Sequence, residues 1–136
     1  MDFGFSEEQD LLRQSAADFL RNECPMSYVR QMMEDERGYA DEVWNKMAEL
    51  GWMGLIVPEA YGGAGLSVVD LVVVLEEMGK VVLPGPFFST VALGGLCVQA
   101  AGSEEQKKAL LPGMASGQTT LTPVSYTHLR AHETDS

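Results

Sequence analysis

The sequence predicts an all-α protein, a helical bundle of about six helices joined by short connections. Three observations carry that prediction. Ser6, Ser67 and Ser103 are followed three residues later by Gln9, Asp70 and Gln106, the spacing at which a serine hydroxyl and the later side chain close a helix N-terminus reciprocally. Between these starts and the glycines and prolines that punctuate the chain, apolar residues recur at intervals of three and four. No segment sustains the apolar-polar alternation of a half-buried strand.

The first helix opens at Ser6 and places Leu11, Leu12, Ser15, Ala16, Phe19 and Leu20 on one stripe, until Pro25 breaks it. A shorter second helix, with Val29, Met32 and Met33 inward, is expected to stop at Gly38. Asp41 is expected to cap a third, with Val43, Trp44, Met47 and Leu50 on its inner face and Gly51 at the left-handed exit. Methionines and aromatics at this spacing read as core, so neither Trp44 nor Trp52 is read as a cofactor platform. Residues 54–57, Gly-Leu-Ile-Val, read as a short extended piece, and the loop after them holds three glycines in four positions, Gly62, Gly63 and Gly65. Such a loop should be tight, exposed and dependent on positive φ.

Residues 68–78 pull two ways. Their β-branched content (Val68, Val69, Val72, Val73, Val74) favours a strand, whereas the cap at Ser67 and the length favour a helix. The prediction is a helix ending at Gly79 and, because it is apolar nearly all round, the buried central one. Pro84-Gly-Pro86 is a stiff connector, residues 87–101 form a fifth helix relaxed by Gly94 and Gly95, and a sixth runs from Ser103 to about Ser116.

A chain of 136 residues with 46% hydrophobic content can bury one sizeable core and is short for two. Its longest apolar runs fall well short of the roughly 18 residues of a spanning helix, so no membrane span is expected. The acidic start lacks the basic-then-apolar order of a secretory leader, which makes the cytoplasm the expected compartment. Nine Lys+Arg against twenty Asp+Glu give a formal charge of -11, which argues against nucleic acid as a partner. The same sign would not steer coenzyme A, so any phosphate contact must be local. Cys24 and Cys97 lack CxxC spacing and a nearby histidine and read as small core residues.

From Val124 the periodicity stops, and both histidines of the chain, His128 and His132, lie beyond that point. Glu133 falls outside the pair rather than between its members, so the HExxH zinc pattern is absent and no metal site is expected. Residues 124–134 resemble the translation of a sequencing adapter. The expected organisation is a helical domain over 1–123 and a non-native, disordered tail over 124–136 that packs on nothing.

With no histidine before residue 128, neither a Ser-His nor a Cys-His nucleophile system can be assembled in the domain. The Gly62-Gly63-Ala64-Gly65 run fails the G-x-G-x-x-G spacing, and no lysine follows to make a phosphate loop. A turn that needs positive φ is the favoured reading, a dinucleotide loop the other. Among the carboxylate pairs, Glu7-Glu8 and Glu104-Glu105 sit in first turns, where they complement the helix dipole. Only Glu76 and Glu77 have a case for burial, and an exposed helix end is the expectation even there.

Several motifs in a fixed order carry a family resemblance over roughly residues 1–122. They are Phe3-Gly-Phe-Ser-Glu-Glu-Gln9, Trp44-Asn-Lys-Met-Ala-Glu-Leu-Gly-Trp-Met-Gly-Leu55, Val57-Pro-Glu-Ala-Tyr-Gly-Gly-Ala-Gly-Leu66, Glu76-Glu-Met-Gly79, Gly102-Ser-Glu-Glu-Gln-Lys107 and Leu111-Pro-Gly-Met-Ala-Ser-Gly117. In this series the chain resembles the N-terminal domain of acyl-CoA dehydrogenases. Leu83-Pro-Gly-Pro86 is similar to the branch that includes sterol side-chain and other bulky-acyl dehydrogenases, some paired as unlike subunits.

The resemblance implies a three-part enzyme of helical domain, β domain and second helical bundle. It implies FAD as the cofactor of the whole enzyme, an acyl-CoA substrate, a glutamate base, electron-transfer flavoprotein as acceptor, and a homo- or hetero-oligomer. By position it carries Phe87, Phe88, Ser89, Thr90 and Val91 over as candidate substrate-pocket residues, with core packing as the alternative for the two phenylalanines. The family pattern departs at Leu121-Thr-Pro-Val124, where a member would start its flavin contacts with a Thr-Glu-Pro type motif. No residue of this chain is therefore assigned as catalytic or cofactor-binding, and the chain alone is expected to be inactive and to bind no flavin. The alternative from another class is a non-catalytic helical binding module, or the pseudo-enzyme subunit of an unlike-subunit dehydrogenase.

Overall fold

The computed structural model describes residues 4–123, and the tail expected over 124–136, with His128 and His132, lies outside them. Among the described residues the fold is all-α, without a strand. Six α-helices occur in it: α1 (Glu7–Glu23), α2 (Met26–Met33), α3 (Asp41–Glu49), α4 (Val68–Lys80), α5 (Leu96–Ala101) and α6 (Glu104–Ala115). Single 3-10 turns lie at Trp52–Gly54 and Glu59–Tyr61, and a wider π-helical segment, Phe88–Gly95, runs directly into α5. None of the described helices is long and apolar enough to cross a membrane.

The three reciprocal caps form as their spacing dictates. The Ser6 hydroxyl accepts from the Gln9 amide at 3.1 Å while Ser6 N donates to Gln9 Oε1 at 3.0 Å, and Ser67-Asp70 and Ser103-Gln106 repeat the exchange. Asp41 does not cap α3. Ala40 holds the cap position without a side-chain bond, and Asp41 instead accepts from Arg37 at 2.8 Å. Gly51 takes the left-handed exit at φ 84° as expected. Helix α2 ends at Met33, five residues before Gly38, and Met33 is exposed.

The main core joins Ala16 and Leu20 of α1, Val43, Trp44 and Met47 of α3, residues 52–56, and Leu71, Val74 and Met78 of α4. Phe19 meets the Trp52 ring edge-on with centroids 5.1 Å apart, an arrangement the ring quadrupoles favour. A second cluster forms where Val57 packs on Leu111 and Met114 of α6. Trp44 ties the two regions through a 2.8 Å hydrogen bond from its indole N–H to the Gly117 carbonyl.

Several inward expectations fail for one reason: a helix lying on a core buries a narrower stripe than its apolar content offers. Leu11 and Ser15 of α1 and Leu50 after α3 are exposed, as is Cys97 of α5, whereas Cys24 is buried. Helix α4 is a helix as predicted but is not buried all round. Leu71, Val73, Val74 and Met78 are inside, while Val68, Val69 and Val72 are 50%, 50% and 40% exposed. Residues 54–57 are buried but turned rather than extended, with Leu55 at φ -55° and ψ -45°.

Glu77 also departs from the expected exposed helix end, since it is only 6% exposed. It lies where α1 crosses α4 and accepts from Lys80 Nζ at 2.7 Å and from Arg13 Nη1 at 2.8 Å; the same Arg13 nitrogen reaches Glu76 at 3.0 Å. Further along the same contact Gln9 Nε2 donates to Asp70 at 3.2 Å. The Lys80 bond, with the Arg13 bond behind it, holds the Glu77 carboxyl below its ordinary value of 4.5, against burial acting the other way. A carboxyl depressed in the folded state adds stability that is present above its unfolded value and is lost as pH falls through its folded one. Glu77→Gln is therefore expected to lose about 2 kcal/mol at pH 7. In urea titrations between pH 7 and pH 3 that gap should narrow only below about pH 5, as the wild-type carboxylate protonates.

Candidate functional site

Helix α4 ends in a double hydrogen bond, Leu83 N to Met78 O at 3.1 Å and Val82 N to Gly79 O at 3.2 Å. That is the 6→1, 5→2 pattern of a Schellman termination, whose penultimate residue must turn left-handed. Val82 occupies that position at φ 53°. A β-branched side chain there costs roughly 1–2 kcal/mol in backbone strain. Pro84 and Pro86 stiffen the following turn, and Gly85 between them, at φ 118°, lets the turn lie on Tyr39, whose Cβ would stand 3.4 Å from any side chain added there.

Between this turn and the start of the π-helical segment lies an open groove of about 440 Å³. Leu75, Met78 and Gly79 contribute to it from α4, Val82, Leu83 and Gly85 from the turn, and Phe87 and Phe88 from the next segment. No lining residue is charged, so the groove can receive an apolar group but has nothing with which to move a proton or polarise a carbonyl.

Of the five residues carried over from the resemblance, the groove gathers two. Phe87 is buried and lines the groove, and Phe88, also in the lining, is 55% exposed. Ser89 is half-buried and donates to the Pro86 carbonyl at 3.2 Å. Thr90 and Val91 are completely buried. The Thr90 hydroxyl donates to Leu121 O at 3.2 Å and accepts from Leu121 N at 3.1 Å, so it pins the segment that leaves α6. Gly94 permits that approach, because a Cβ there would stand 2.6 Å from Leu121 Cβ. The sequence reading missed Leu75, Met78, Val82 and Leu83, though the three-residue spacing of Leu75 and Met78 just before a Pro-Gly-Pro turn carried the signal.

The glycine-rich loop is a different kind of structure. Gly62 and Gly65 have positive φ, as its composition required. Its amides point inward: Gly62 donates to Glu59 O, Gly63 to Pro58 O, Ala64 to Gly54 O, Gly65 to Val57 O and Leu66 to Leu55 O, all at 2.8–3.2 Å. A pyrophosphate cradle needs such amides free and turned outward. The helix start beyond it is already occupied by the Asp70 carboxylate, held below its ordinary range mainly by the Ser67 amide. The residues of this loop do not fit a flavin dinucleotide.

These features define an all-α domain that presents an apolar groove and whose glycine loop is structural. The family profile for the acyl-CoA dehydrogenase N-terminal domain matches residues 6–118, and the chain belongs to that family. It is 35% identical to acyl-CoA dehydrogenase IpdE2 of Mycolicibacterium smegmatis over 119 residues, which is 87% of this chain and 38% of that protein. Its fold is similar to the ChsE4-ChsE5 complex from Mycobacterium tuberculosis, with a TM-score of 0.82 at 26% identity over 90% of this chain and 34% of that one. It is also similar to an acyl-CoA dehydrogenase complexed with FAD from Bacillus anthracis, with a TM-score of 0.74 at 31% identity over 85% of this chain and 20% of that one. The chain thus spans little more than a third, or less, of the length of the curated relatives it matches.

The loop geometry makes a sharp mutational contrast. A Cβ at Gly63 would collide with the Val57 carbonyl and stand 2.6 Å from the Gly54 carbonyl, both backbone atoms that cannot step aside. Gly63→Ala is expected to cost roughly 3 kcal/mol. Gly62→Ala, with open space around it, should cost only the about 1 kcal/mol of a left-handed alanine. Denaturant midpoints of the two variants against wild type measure the difference.

Proposed function

We propose that this chain is the N-terminal part of an FAD-dependent acyl-CoA dehydrogenase, and that the domain supplies one wall of the acyl pocket and the face that meets the flavin-binding part. The reaction is oxidation of the Cα–Cβ bond of an acyl-CoA thioester, with electrons passing on to electron-transfer flavoprotein. FAD supplies the hydride acceptor when bound. The observation that carries the reading is the uncharged groove at residues 75–88, lying in a family member and including Phe87 and Phe88.

Within that reading the chain's own residues bind and shape rather than react. Phe88 offers an apolar ring to the acyl group, Phe87 backs it from the core, and Ser89, Thr90 and Val91 fix the π-helical segment that Phe88 opens and Phe87 precedes. The catalytic base and the flavin contacts fall to parts of the enzyme that this chain does not include. The folded unit is assigned to residues 1–123, so a chain ending at Pro123 should melt at the same temperature as the 136-residue one. The likeness to a complex of two differently named chains favours a second reading, in which the whole protein is one member of an unlike-subunit pair and can be the member without the base.

The visible spectrum tests the assignment. The purified 136-residue chain should be colourless and inactive even with added FAD, while a complete acyl-CoA dehydrogenase carrying this domain should be yellow and oxidise an acyl-CoA. In that complete enzyme Phe88→Ala should raise KM for acyl-CoA about tenfold, the loss of one buried aromatic contact, at unchanged flavin content. Stoichiometric flavin in the short chain, or an unaltered KM in the Phe88 variant, would contradict the pocket-wall role.

A further inference from the structure

The described glycines at positive φ stand at 38, 51, 62, 65, 85 and 117, and the single described non-glycine residue there is Val82. The position is the left-handed one of a Schellman termination, where glycine costs least. Valine is among the worst residues for it, since both its Cγ atoms crowd the backbone. Burial does not explain the exception, because Val82 is 61% exposed. Nor do the hydrogen bonds, which run through the amides of Val82 and Leu83 and would form equally with glycine. What the side chain does have is a place on the groove, between Gly79 at the end of α4 and Gly85 in the turn, neither of which brings a side chain to the lining.

We propose that Val82 is a specificity-determining residue: its side chain, held by a strained left-handed backbone, narrows the apolar groove so that slender acyl groups enter more readily than wide rigid ones. The proposal deepens the pocket-wall reading and rests on it. The isopropyl group and the adjacent Leu83 are the two side chains that the turn brings to the groove between Gly79 and Gly85, and of the two only Val82 sits at a left-handed position. The strain is local, because Val82 is mostly exposed and the turn is already fixed by Pro84, Pro86 and the Tyr39 contact.

The test uses the 136-residue chain labelled with [13C]methyl methionine. Met78 lines the groove, and a Met78→Leu spectrum assigns its methyl signal. Dodecanoate serves as the slender probe and deoxycholate as the wide rigid one, both below their micellar concentrations. In wild type, dodecanoate should shift the Met78 signal at lower concentration than deoxycholate. Val82→Gly should melt a few degrees higher than wild type and lower the deoxycholate midpoint about tenfold, with little change for dodecanoate. Val82→Ala keeps a Cβ at positive φ, so it should widen the groove without the gain in melting temperature. A Met78 response to both probes whose ratio is the same in all three proteins overturns the role of Val82 alone, as does a Val82→Gly protein less stable than wild type. Silence of Met78 towards both probes in every variant overturns the pocket-wall reading, and the proposal with it.

Discussion

Residues 52–57 are all buried, yet they form no α-helix, so their backbone groups must be satisfied by something other than a helical ladder. Part of the answer is local, in 3-10 bonds such as Leu55 N to Trp52 O. The rest comes from the glycine loop, whose Ala64, Gly65 and Leu66 amides reach the carbonyls of Gly54, Val57 and Leu55 at 2.8–2.9 Å. Those bonds require residues 62–66 to lie flat against 54–58, which in turn excludes a Cβ at Gly63. The same stretch serves both apolar clusters: Trp52, Met53, Leu55 and Ile56 belong to the one around α1, α3 and α4, and Val57 to the one under α6. A helix would have presented one stripe. The turned segment presents residues to two sides, and this is how α6 is joined to the rest of the bundle.

The groove depends on that join at one remove. Helix α6 and the segment after it hold the π-helical stretch through Thr90, Gly94 and Leu121, while α4 is held against α1 by Arg13, Glu77 and Asp70. The groove is the space between these two separately anchored pieces, spanned by the stiff turn at residues 81–87. Its width is therefore set by packing on both sides and by the turn, which is why a strained residue can persist there: the neighbouring structure over-determines the backbone. The π-helical widening falls in the same place. Such segments interrupt regular helices at a cost, and here the extra backbone per turn accommodates Gly94 against Leu121 while Phe87 and Phe88 turn towards the groove.

The fold was legible wherever the signal was local. Capping boxes at Ser6, Ser67 and Ser103 are contained in four residues each and depend on nothing distant, and they form with the expected bonds. Asp41 failed as a cap because an equally local competitor, Arg37 four residues back, takes its carboxylate. Burial was less legible, since it depends on which side of a helix meets a partner. The valines at 68, 69 and 72 look the same in sequence as those at 73 and 74, and only the position of α1 separates them. Glu77 was unreadable for the same reason, since besides the local Lys80 its buried carboxylate is met by Arg13, 64 residues away in sequence. The candidate site was half legible: Phe87 and Phe88 followed from the family series, whereas Leu75, Met78 and Val82 needed the turn that folds them together.

Charge divides the surface of the domain into faces of opposite character. The formal charge of -11 is accompanied by ion pairing of five of the nine cations, with Arg13, Arg21, Arg37, Lys46 and Lys80 each 3.0 Å or less from a carboxylate oxygen. A guanidinium or ammonium already paired has little left to offer a phosphate, and the helix starts at Ser6, Ser67 and Ser103 are each followed by acidic residues. A polyphosphate would meet repulsion on these faces. The groove carries the opposite character, with no charged residue along its lining and phenylalanine at its edge. An uncharged apolar chain loses nothing by entering it, whereas a polyphosphate would leave water for no compensating partner. The division of surface leaves the groove, and not the acidic helix starts or the paired cations, as the place on this domain suited to an apolar group.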